Sequence, residues 1–80
     1  MLLKTRIKDP YTLGQVLQQS RLAQGLSQRG LAAKLGVSQK WVWEMEQGKP
    51  GLLMDRLFGI LDLTGVTLSA EFETQKQAKK

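Results

Sequence analysis

Cysteine and histidine are both absent from the 80 residues. That removes disulfides, thiolate or imidazole zinc ligation, cysteine nucleophiles and histidine general bases together. No apolar run approaches the roughly 20 residues of a membrane-spanning helix. The opening MLLKTRIKDP turns charged after its third residue instead of continuing into a secretory apolar core. Acidic residues are scarce, 7 against 12 lysines and arginines, for a formal charge of +5. This balance suits a polyanionic partner, and the setting expected is soluble, reducing and cytoplasmic. Glu44, Glu46, Asp55 and Asp62 are scattered along the chain with no glycine-rich phosphate loop beside them, so neither an enzyme nor a cofactor or metal site is expected.

What is present is helical periodicity broken by glycine. Residues 1–11 read as an arm or short strand, with Leu3, Thr5 and Ile7 alternating against Lys4, Arg6 and Lys8. Thr12 with Gln15 forms a capping-box pair opening the first helix, and Asp9 followed by Pro10 is a competing start. Leu13, Val16, Leu17 and Ser20 give that helix its inward stripe, and Gly25 ends it. Ser27 caps a second helix with Leu31, Ala32 and Leu35 inward, closed by Gly36; Ser38 caps a third that runs to Gln47. A fourth, from Leu52 to Leu63, carries Leu53, Leu57, Phe58, Ile60 and Leu61 and stops near Gly65. After it the period changes to two: Val66, Leu68, Ala70 and Phe72 alternate with polar residues as a half-buried strand. A lone strand needs a partner, either the N-terminal arm or the same strand of a second copy, and the two-fold pairing is the expectation taken here. The chain thus divides into an arm (1–11), a helical domain (12–64), a dimerisation strand (65–73) and a disordered basic tail (74–80).

The run GLSQRGLAAKLGVSQKWVWEMEQGK resembles the helix-turn-helix of the Xre and phage-repressor family. The match lies in Gln early in the second helix, Ala in its middle, Gly at the turn and E.GK closing the third. The fold implied is mostly α, a four-helix lambda-repressor-like domain followed by a C-terminal strand pairing across a dimer. Independently of the resemblance, Ala32 is small where two helices cross closely and Gly36 sits where a left-handed backbone is needed.

The third helix would then enter the major groove by its N-terminal part. Gln39 suits adenine, Lys40 guanine, Glu44 the cytosine amino group and Trp43 a thymine methyl. The family resemblance implies phosphate or positioning contacts from Ser27, Gln28, Ser38 and Lys49. Trp41, at the core's edge, can aim its indole N–H at a phosphate or backbone acceptor. The resemblance also implies that Arg21 and Glu46 form a partly buried salt bridge between the first and third helices. At Gly30 the family often has an acidic residue, so Ser27 lacks a capping-box partner here.

SQKWVWEMEQGKPG and LDLTGVTLSAEF are similar to the antitoxin branch related to HipB. This implies a homodimer on an inverted-repeat operator of double-stranded DNA, repressing its own operon and binding a HipA-like kinase toxin. The alternatives are an Xre-type regulator without a toxin, or a protein-interaction module on the same scaffold.

Overall fold

In the computed structural model, which describes residues 1–49 and 51–74, the elements run β1 (Leu2–Ile7), α1 (Pro10–Ala23), α2 (Gln28–Leu35), α3 (Gln39–Glu46), α4 (Leu52–Thr64) and β2 (Leu68–Glu73). Four helices with one antiparallel pair of strands make the chain mostly helical, as the sequence pattern implies. The tail expected to be disordered lies, from residue 75 on, outside the described residues.

The start of α1 is decided in favour of Asp9. Its carboxylate accepts the Thr12 N–H at 2.7 Å, while the Thr12 hydroxyl oxygen accepts the Asp9 N–H at 3.1 Å. Thr12 is therefore the third helical residue of a capping box that begins at Asp9, and Pro10 fills the first helical position, where no N–H is needed. The inward stripe is also rotated from the expected one. Gly14 and Arg21 are the buried residues of α1, whereas Leu17 keeps 36% of its surface exposed. The reason is α3, which crosses so close at Gly14 that no side chain fits between the helices.

Within the chain β2 pairs with β1, antiparallel, from Leu2 opposite Glu73 to Ile7 opposite Leu68. Of the two partners open to the strand, the arm therefore fills one edge, and β2's other edge is free to pair among the described residues. One sheet face carries Leu3, Thr5 and Ile7 with Phe72, Ala70 and Leu68, and Lys4 stands opposite Glu71 on the other. Val66 falls in the turn before β2 rather than in it.

Three apolar side chains are buried among the described residues: Ile7, Ala32 and Val42. That is a thin core. The radius of gyration, 14.0 Å, exceeds the roughly 12 Å of a compact domain of this length. α4 has no buried residue and projects Leu53 and Leu63 into solvent, 77% and 90% exposed.

Candidate nucleic-acid interface

Two short helices and a three-residue turn build the site. The Ser27 hydroxyl accepts the Gly30 N–H at 2.9 Å and opens α2. Gly36 ends α2 in the left-handed region at φ 74°, which lets the Val37 N–H reach back to the Ala32 carbonyl at 3.0 Å. Ser38 at once opens α3 by accepting the Trp41 N–H at 3.0 Å. A side chain bearing Cβ at Gly36 would be strained in this backbone conformation, so the tight redirection of the chain depends on glycine there. Both capped N-termini present unsatisfied N–H groups, the arrangement that favours anions.

The depth of α3 is set by a buried ion pair. Arg21 Nε–H donates to Glu46 Oε2 at 2.6 Å and Arg21 Nη2 to Glu46 Oε1 at 3.1 Å, joining α1 to the last turn of α3. The remaining Arg21 nitrogen donates to the Leu26 carbonyl at 2.8 Å, tying in the loop before α2. Gln28 Nε2 donates to Glu46 Oε1 at 3.0 Å, so α2 enters the same network. Burial alone would raise the Glu46 pKa; hydrogen bonds from Arg21 and Gln28, with the Arg21 charge, outweigh it and hold the carboxyl below its ordinary value. Every buried polar side-chain atom among the described residues is paired.

With Val42 and Glu46 inward, the outer arc of α3 follows from the helical period. Lys40, Trp43, Glu44 and Gln47 occupy it, and Gln39 stands at its N-terminal edge; all but the half-buried Glu44 are exposed. Trp41 and Trp43, two residues apart, point about 160° away from each other. Trp43 belongs to the outer arc, whereas Trp41 lines an apolar groove with Leu35 and Met45.

Ser27, Gln28, Arg29 and Gln39 meet, with Arg21, in a depression between the helix starts. Arg29 and Gln47 were not singled out by the sequence reading. Arg29 carries a signal, a basic residue two places after the Ser27 cap; Gln47 has one in its three- and four-residue spacing from Glu44 and Trp43. Gln28 spends its amide nitrogen on Glu46, which leaves its carbonyl oxygen for other partners. Lys49 Nζ donates to Glu44 Oε2 at 2.9 Å, so two residues read as separate DNA contacts pair with each other in the free protein. That hydrogen bond, with the nearby Lys49 and Lys40 charges, keeps Glu44 below the usual carboxylate range.

No curated protein matches the chain. A family model described as a helix-turn-helix domain matches residues 12–73, from the third residue of α1 to the end of β2. Two capped helices joined through a left-handed glycine, an outward arc of polar and aromatic side chains, and a match over most of the chain agree: this protein belongs to the helix-turn-helix domain family and is Xre-like, with the fold of a DNA-binding regulator.

Proposed function

We propose that the protein is a dimeric, sequence-specific repressor that reads an inverted-repeat operator through α3, regulates its own operon and acts as antitoxin to a HipA-like kinase toxin. The outer arc of α3 carries the DNA reading. Gln39, Lys40, Trp43 and Glu44 place amide, ammonium, indole and carboxylate chemistry on one surface, while Val42 and Glu46 anchor the opposite line of the helix. Ser27, Gln28, Ser38, Trp41 and Lys49 position the duplex through its backbone, and Arg29 joins them. Glu44 reads a cytosine once Lys49 leaves it for a phosphate, an exchange of one ion pair for another. Val66, Leu68, Ala70 and Phe72 contribute to the two-fold contact through the open edge and turn of β2. The antitoxin reading is supported by the order of reading helix, EQGKPG exit, apolar fourth helix and terminal strand.

Selection of bound duplexes from a random pool at near-physiological salt tests the reading. The expected result is an inverted repeat with half-sites about one helical turn, roughly 34 Å, apart. Folded protein that enriches nothing would remove DNA reading as its function. Lys40→Ala is expected to relax preference at one base position of each half-site by about 1–3 kcal/mol. An unchanged selection profile would strip Lys40 of that role. The antitoxin half is checked by co-purification with the product of an adjacent kinase-like gene, and absence of such a gene or complex leaves a plain Xre-type regulator.

A further inference from the structure

The start of α1 is pressed against the turn that carries Lys49. Gly48, just before it, has no room for a side chain: a Cβ there would lie 2.5 Å from the Tyr11 Cα and 2.9 Å from the Pro10 carbonyl oxygen. Lys49 in turn reaches the outer arc of α3 through its ion pair with Glu44. The backbone of Tyr11 is thereby fixed beside a residue given a phosphate contact, and its side chain stands 58% exposed. The helical period shows which side of α1 this is. Gly14 and Arg21 face α3, while Thr12, Val16 and Gln19 border β1 with Leu3 and Thr5. Tyr11, Gln15, Gln18 and Leu22, at intervals of four, three and four, share a further side. Tyr11 and Leu22 differ by only about 20° around the axis. Leu22 lines the depression that holds Ser27, Arg29 and Gln39. One side of α1 therefore borders the reading surface at both ends, at Leu22 by the starts of α2 and α3 and at Tyr11 by the turn after α3. No residue from Pro10 to Ser20 is charged, so the strip offers no carboxylate to repel a phosphate. The Asp9 carboxylate before it is held as the helix cap.

We propose that the Tyr11 hydroxyl donates a hydrogen bond to a DNA phosphate adjoining the one that Lys49 takes. Its oxygen already accepts the Gln15 Nε2–H at 3.3 Å, which aims the ring and leaves the phenolic proton for an outside acceptor. A phosphate oxygen is the acceptor that a duplex presents along its flank, and its charge strengthens the bond. Being neutral, the phenol holds the backbone without displacing a counterion. The contact rests on the DNA reading above and extends it to α1, which that reading leaves without a place on the duplex.

Full-length Tyr11→Phe removes the hydroxyl and keeps the ring. It is expected to bind about tenfold more weakly than wild type to a mixed-sequence duplex and to a selected one alike, with an unchanged selection profile. The slope of log affinity against log salt is expected to stay as in wild type, whereas Lys49→Ala should lower it by about one per contact. Thermal unfolding and helical circular dichroism of Tyr11→Phe should match wild type, since the lost hydroxyl is exposed. Uncharged methylphosphonates, placed singly along the selected duplex, then locate the contact. One position in each half-site is expected to weaken wild type and to cost Tyr11→Phe nothing further. Tyr11→Phe that binds like wild type overturns the contact and leaves the DNA reading standing. A variant that binds weakly yet keeps the wild-type sensitivity at every phosphate also overturns it, because Tyr11 would then act only through the turn at Gly48. Wild-type protein that binds neither duplex removes the DNA reading itself, and the contact with it.

Discussion

Arg21→Ala is expected to remove about 3–5 kcal/mol of stability, the largest loss of any single substitution considered. The substitution strands the Glu46 carboxylate, 5% exposed, with Gln28 as its sole remaining partner, and it frees the Leu26 carbonyl as well. Breaking a buried pair by removing one member costs about 3–5 kcal/mol, against a total of roughly 4–12 kcal/mol for a domain of this length. Urea titration followed by circular dichroism measures the loss. Replacing both members, Arg21→Met with Glu46→Leu, is expected to cost less than Arg21→Ala alone, since no unpaired buried charge remains. A double variant as weak as the single one would mean that the geometry of the pair, and not its charge, supports α3. Acid gives the same answer without mutation. The Glu46 pKa is lowered in the folded protein, so its contribution is complete above the ordinary value of 4.5 and is lost as pH falls through the depressed value. Stability in wild-type protein should therefore drop on that acid side, and the double variant should show a shallower drop.

Gly14→Ala should be the second most damaging change. An added Cβ would collide with the Glu46 carbonyl oxygen and lie 2.8 Å from the Met45 carbonyl oxygen, and both obstacles are backbone. Helix propensity favours alanine by about 1 kcal/mol, yet neither helix can yield without separating α1 from α3. Overpacking of this kind costs about 1–3 kcal/mol and occasionally more, so a net loss of up to about 2 kcal/mol is expected once the propensity gain is subtracted. Gly59→Ala supplies the contrast, because a Cβ there meets nothing within 4 Å. It is expected to gain up to about 1 kcal/mol from propensity. Thermal unfolding of the two variants side by side decides the matter, and a stabilised Gly14→Ala would refute the close helix crossing. Since the colliding carbonyls belong to the last turn of α3, Gly14→Ala should weaken DNA binding too, by tilting the reading arc.

The elements and their punctuation are legible in the residues alone. Ser27, Ser38, Gly36 and Gly65 act on neighbours within a few residues, so their capping and turning roles are local and legible. The change from a helical period to a period of two after Gly65 marked β2 for the same reason. Resemblance of the motif supplied the Arg21 and Glu46 pairing, which local rules could not, because 25 residues separate the two. Tertiary structure alone decided the rest. Gly14 lies beside the expected stripe of Leu13, Val16, Leu17 and Ser20, and only the crossing of α3 makes glycine the one residue type that fits there. Whether β2 met the N-terminal arm or a second strand depended on where four helices left the chain ends, a matter no period encodes. Apolar periodicity marked α4 as a helix with something to bury, but a helical stripe does not say against which surface. In the folded chain that stripe faces outward, because the half-buried residues Met54, Phe58 and Leu61 take the inner side.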